Sequence, residues 1–278
     1  MNDKTTKHGT LIMEILRHIF QGPKEDPDMD KDIEKIFSEV RRGAAEFVGM
    51  FLISFVLSFS GVMHHISEEK SSKVMMCAIL DGLIHAVLVY TISTVSGGHF
   101  NPSVSLMFSI KGVFKFWRVL YYWFAQFTGA LSGCLLVYVV FGNPDHLGAP
   151  YPIKSTIGQA LFIEIIGSFI DTLIILSVAE ASYIVGTHAA IASCFEHIII
   201  SMLFAGVSKG KYNIALALAP IIVSRTHFDT IWLYLVGPIC GPLIALMVCR
   251  LFITKRATYD SKTKANGKGR INPEEQDD

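Results

Sequence analysis

"GGHFNPSVSL", residues 97–106, interrupts a strongly apolar chain with two glycines, a histidine, an asparagine and a proline. Inside a bilayer, backbone groups that leave a helix must be hydrogen-bonded within the protein or line a wet cavity. A polar, helix-breaking knot between two apolar runs therefore marks a passage or its support. A second, weaker copy, "KYNIALALAP", stands at residues 211–220. Each knot leads into an apolar helix of about ten residues, where a crossing needs roughly 20. Two such half-spans entering from opposite faces complete one crossing.

Composition sets the class around the knots. Hydrophobic residues make up 51% of the chain and charged residues 17%, with a mean hydropathy of +0.45, the profile of a polytopic membrane protein. Six spans are expected near 43–63, 74–94, 117–141, 158–179, 188–207 and 229–253. Net charge is zero and the basic residues sit in tails and loops, so no nucleic-acid partner is implied. The five cysteines fall in apolar stretches with no CxxC spacing and read as packing residues. No nucleophile–base arrangement and no phosphate loop is present, which argues against an enzyme and against a cofactor. Residues 1–40 read as a cytosolic N-terminal tail, 41–255 as the membrane domain (repeats 41–141 and 158–255), and 256–278 as a disordered cytosolic tail. Arg41, Arg42, Lys111, Lys115, Arg118, Arg250, Lys255 and Arg256 fall on one side of a six-span topology, which puts both termini in the cytosol. Lys209, Lys211 and Arg225 fall on the other. Whether the membrane is the plasma membrane or an intracellular one is open.

The two halves repeat. "AAEFVGMF" (44–51) and "ALFIEIIGS" (160–168) each carry an acid followed three residues later by glycine, Glu46/Gly49 and Glu164/Gly167. Asn101 lies 55 residues after Glu46, and Asn213 lies 49 after Glu164. Three spans separate the acids, and an odd number of crossings inverts the second half relative to the first. The two knots then face each other near the midplane.

On "SGGHFNPSVSL", "YYWFAQFTGALSG" (121–133), the two acid-bearing stretches and the weaker "YNIALALAP", the chain resembles the aquaporins, the major intrinsic protein family, over roughly residues 41 to 255. The resemblance implies an all-α membrane protein of six transmembrane helices plus two re-entrant half-helices in an inverted repeat. It also implies a pore in every subunit of a homotetramer, conducting water and small neutral solutes such as hydrogen peroxide or glycerol. Elementary physics agrees. Asparagine at the start of a half-helix caps it, and the free N–H groups and positive dipole end point at the pore centre. Proline at the first helical position sacrifices no hydrogen bond. The amides of Asn101 and Asn213 can donate to passing water, while two opposed positive ends repel protons and cations.

The family's Asn-Pro-Ala is Asn101-Pro102-Ser103 in the first knot and Asn213-Ile214-Ala215 in the second, a pattern similar to the divergent, superaquaporin-like branch. Isoleucine in place of proline gives up the preset φ, a cost on the order of 1 kcal/mol. Counting from the asparagines carries the family's selectivity filter onto Asp81, Ser201, Gly210 and Leu216. Leu216 stands where most members carry arginine and Asp81 where water-selective members carry an aromatic. Glycerol-conducting members usually carry Arg-Asp after the second knot, where this chain has Leu216-Ala217. One helical turn from the filter lie His85 and His197, and the positions seven after the acids are Ile53 and Asp171; these four are expected to line the pore. Intramembrane charges are costly and by default mark pathways. Glu46 and Glu164 are expected to accept from backbone N–H groups and hold the knots. Asp81, His85, Asp171 and His197 are zinc-ligand types, but they come from three helices with no local signature, so no metal is assigned. Two alternatives stay open: a proton- or cation-leaky channel using the Asp/His lining, and a non-conducting structural or junctional protein of the same fold.

Overall fold

The helices follow from the apolar runs, and each stops where the sequence turns polar or glycine-rich. The computed structural model describes residues 31–66, 73–142, 146–181 and 188–253. The helices are α1 (Lys31–Ile66), α2 (Lys73–Ser96), α3 (Pro102–Lys111), α4 (Phe116–Phe141), α5 (Ile157–Glu180), α6 (Ala189–Ser208), α7 (Ile214–Ser224) and α8 (Leu233–Val248). A 3-10 turn, Phe228–Thr230, precedes α8, and a π-helical turn, Cys249–Ile253, extends it. Among the described residues, six helices are long and apolar enough to cross a membrane, and together with α3 and α7 they give the expected all-helical architecture. The first helix starts well before the expected 43, because "KDIEKIFSEV" is itself amphipathic and helix-compatible. Of the expected tail at 1–40, residues 31–40 are helical; residues 1–30 and the expected tail at 256–278 lie outside the described residues.

Two compact units divide the chain at residue 40. Of the first, the described residues 31–40 are the beginning of α1; all that follows concerns the second. At 10 and 11 residues, α3 and α7 extend about 15 Å each, half the hydrocarbon thickness of roughly 30 Å. Their starts are fixed by side-chain caps: Asn101 Oδ1 accepts from Ser103 N, and Asn213 Oδ1 from Ala215 N and Leu216 N. The caps satisfy donors that the first helical turn leaves open. At the start of α5 a capping box joins Thr156 and Gln159.

Packing repeats between the halves. α2 lies along α6, and α5 along α8; α4 meets the half-helix α7 of the other repeat, as α8 meets α3. Close approach is bought by glycine: a Cβ at Gly129 or Gly133 would run into the backbone of α1 at Phe47 and Phe51, and one at Gly237 or Gly241 into α5 at Glu164 and Ile165. The main apolar cluster joins Met50, Ile53, Leu88, Phe100, Cys134 and Leu216. Large apolar side chains such as Val87, Phe124, Val139, Phe162 and Leu203 face outward, the surface a lipid environment accepts and water does not.

Candidate functional site

Each knot is held from below by its acid. Glu46 is fully buried; its Oε1 accepts from His99 N (3.0 Å), and its Oε2 from Phe100 N and Gln126 Nε2 (both 2.8 Å). Glu164 accepts from Ser208 Oγ (2.7 Å) and Tyr212 N (3.3 Å). The residue before each asparagine, Phe100 or Tyr212, sits at positive φ, 43° and 48°. Its ring lies on the glycine that follows the acid: Phe100 on Gly49 and Tyr212 on Gly167. Acid, glycine, ring and asparagine thus form one unit built twice.

The two units meet. Asn213 Nδ2 donates to Phe100 O at 2.6 Å, and Asn101 Nδ2 to Tyr212 O at 3.2 Å, so each asparagine ties its own knot to the other. Asn101 Nδ2 also donates to Asp171 Oδ2 at 3.2 Å. A primary amide has two N–H donors, and both of Asn101's are therefore directed at protein oxygens, whereas Asn213 directs one at Phe100. The knots border a cavity of about 580 Å³ that runs between α2, α5 and α6.

Asp81, Ser201, Gly210 and Leu216 all border that cavity, as do His85, Asp171 and His197. Ser201 Oγ donates to Asp81 Oδ2 at 2.7 Å, and the His85 and His197 rings stack at 3.6 Å with 26° between their planes. Four residues forward along α2 are matched by four residues back along α6, as antiparallel neighbours require. Ile53 departs from its expected place. It is fully buried in the apolar cluster with Met50, Phe100 and Leu216 and is not among the residues bordering the cavity. Of the two repeat-related positions, the carboxylate Asp171 finds the polar asparagine and the isoleucine finds the core.

Two residues outside the sequence-based set belong here. Tyr212 supplies both the carbonyl that receives Asn101 and the ring that fills the space over Gly167. Glu196 is 3% exposed, with Oε2 2.6 Å from His197 Nδ1 and neither oxygen otherwise hydrogen-bonded. Both carry a sequence signal: Glu196 is a charge inside an apolar span, and Tyr212 precedes Asn213 as Phe100 precedes Asn101. Ligand-type atoms converge in two sets that share His197, Asp81 with His85 and His197, and Asp171 with Glu196 and His197; in each set, one atom per residue lies within 4.8 Å of the others. At one end of the cavity stand Lys209 and Lys211. Burial, and then the like charge of Lys211, push the Lys209 amine down to about 8, while its Nζ lies 4.4 Å over the Tyr151 ring.

Residues 34–249 match the family model for the major intrinsic protein. Aquaporin NIP2-1 of Oryza sativa subsp. japonica is 33% identical over 213 residues, 76% of this chain and 67% of that protein. Aquaporin-8 of Notomys alexis is 30% identical over 221 residues, 77% of this chain and 82% of that protein. Among solved structures, the aquaglyceroporin from Plasmodium falciparum superposes with a TM-score of 0.73 at 22% identity, covering 80% of this chain and 99% of that one, a likeness of fold. With its six spans, its paired half-helices and this match, the chain belongs to the major intrinsic protein family and is an integral, multi-pass membrane channel.

Proposed function

We propose that the chain passively conducts water and small neutral solutes, hydrogen peroxide and glycerol among them, with one conduit in each protomer of a homotetramer and both termini in the cytosol. The observation that carries this reading is the meeting of two asparagine-capped half-helix starts on one cavity, mostly apolar but bordered by Asp81, His85, Asp171 and His197. Aligned N-terminal dipoles favour an oxygen lone pair and oppose a cation, and Asn213 keeps one amide hydrogen for that oxygen. Asp81, Ser201, Gly210 and Leu216 serve as the selectivity filter. None of the four is cationic, so rejection of cations falls to the half-helix ends and to the lysines Lys209 and Lys211 that border the cavity.

The test is osmotic shrinkage of proteoliposomes followed by stopped-flow light scattering, then swelling in isotonic glycerol or hydrogen peroxide influx. Water permeability well above that of protein-free vesicles is expected. Permeability equal to theirs, with reconstitution verified, refutes conduction and leaves the structural or junctional reading. A monomer by light scattering in mild detergent, with flux retained, refutes the tetramer.

One observation favours a second activity, proton passage. Asp171 takes an amide hydrogen of Asn101 that would otherwise orient water, and it places a carboxyl group, able to take up and release a proton, beside the midpoint. An entrapped pH dye reads this directly. Asp171→Asn keeps an oxygen for Asn101 and should reduce proton leak while leaving water flux near the parent value. Equal leak in both refutes the role.

A further inference from the structure

Resting on the reading that the cavity is the conduit, we propose that Asp81, His85 and His197 form a site for a divalent transition-metal ion of the zinc type, which occludes that conduit. The three side chains offer one ligand atom each within 4.8 Å of one another, and all three border the cavity. Zinc takes imidazole nitrogen and carboxylate oxygen at about 2.0–2.2 Å, commonly three protein ligands with water in the fourth position. The sequence shows the ligand types without a local signature, because these three come from two helices; the antiparallel match of α2 with α6 is what assembles them.

The histidines are oriented as a metal requires. His85 Nδ1 lies 2.8 Å from Asp81 O, and His197 Nδ1 lies 2.9 Å from Ser193 O. A backbone carbonyl can only accept, so both Nδ1 atoms carry the hydrogen, and in the neutral ring the lone pair is on Nε2. Metal-bound histidines are oriented in this way by an N–H donated to a carbonyl or carboxylate. Two imidazolium ions stacked at 3.6 Å would repel each other strongly in a poorly solvated site, whereas two neutral rings around one cation do not.

Charge points the same way. Asp81, Asp171 and Glu196 place three carboxylates at this level of α2, α5 and α6, helices that hold Lys73 at the start of α2 and no other lysine or arginine. Asp81 Oδ1 and both Glu196 oxygens are buried without a hydrogen-bond partner, their nearest cationic-type contacts being His85 Nδ1 at 3.2 Å and His197 Nδ1 at 2.6 Å. Buried carboxylates left in that state are expensive. A bound divalent ion compensates the carboxylates, with Glu196 and Asp171 supporting His197 from behind. The mixed nitrogen and oxygen donor set favours zinc or copper over magnesium or calcium, which seek oxygen alone.

The probes are Zn²⁺ and Co²⁺ on the purified full chain in detergent, with Mg²⁺ as control. Calorimetry should give Zn²⁺ binding that Mg²⁺ does not compete away, and Co²⁺ should develop the intense visible bands of a low-coordinate nitrogen-containing site. His85→Gln and His197→Gln, monodisperse by size exclusion, should each lose affinity at least about tenfold. In proteoliposomes, Zn²⁺ should block parent water flux, EDTA should restore it, and the double variant should be insensitive. No high-affinity binding, or binding undiminished in the double variant, overturns the site. Dependence on both histidines without any effect on a parent that does conduct water overturns occlusion. The same dependence in protein that passes no water supports the metal site and overturns only the conduit reading on which occlusion rests.

Discussion

Replacing Glu46 asks how much of the first knot's geometry rests on one side chain. The carboxylate receives at least three donors, two of them consecutive backbone N–H groups in a segment that cannot pair with itself. In Glu46→Gln the amide oxygen can keep the Oε2 position and its two donors, Phe100 N and Gln126 Nε2. The new NH₂ group then faces His99 N, donor against donor. One buried orphan costs about 1–3 kcal/mol. In Glu46→Leu all three donors lose their acceptor, roughly 3–9 kcal/mol by the same measure. At about 2–4 °C per kcal/mol for a chain of this size, glutamine should lower the apparent Tm by roughly 5 °C and leucine by at least twice that. Thermal unfolding read by fluorescence-detected size exclusion in one detergent checks both, and water flux should fall in the same order. A leucine variant as stable as the glutamine variant, or both at the parent value, would show that the knot is held by packing and not by the acid.

Gly167→Ala should destabilise by about 1–3 kcal/mol, because the added methyl meets the Tyr212 ring, which is already confined on its other side at Gly210. Gly158→Ala, on the same helix with open space around it, should be neutral or stabilising by up to about 1 kcal/mol; paired melting curves read the contrast, and equal effects refute it. Lys209 is protonated below its lowered value of about 8 and neutral above it, so the positive charge at that mouth weakens as pH rises through 8. Cation leak should therefore step upward between about pH 7 and 9, and Lys209→Met should show the high-pH leak already at pH 7; a pH step that persists in Lys209→Met assigns it to another group.

The fold was legible because its signals are local or periodic. Six apolar runs of spanning length need no partner to be recognised, and Asn101-Pro102 announces a capped half-helix within two residues. The second knot lacks its proline and still starts a helix, since Asn213 Oδ1 caps two N–H groups at Ala215 and Leu216. Inversion could be counted from Glu46 and Glu164. What the pattern did not give was the start of α1, where an amphipathic polar segment and a tail look alike in composition.

At the site, residues on matched helical faces were legible and residues whose role is contact across the repeat were not. Asp81, His85, His197 and Ser201 recur at one-turn spacing, so a single correct face for each helix places all four. The count from the acids makes Ile53 and Asp171 equivalent, yet an inverted repeat equates backbone positions and not environments. Asp171 has an asparagine amide to satisfy it; at the matching position in the first half, Ile53 meets an apolar cluster that includes Phe100 and Leu216. Leu216 is the connecting term. Where the family resemblance implies a fixed cation, this chain puts a leucine that joins the core, and Asp81 and Asp171 border the same cavity. The stacked histidines are the groups that face the carboxylates, His85 Nδ1 lying 3.2 Å from Asp81 Oδ1 and His197 Nδ1 2.6 Å from Glu196 Oε2, an arrangement that matched faces of two helices assemble and that no single stretch of sequence displays.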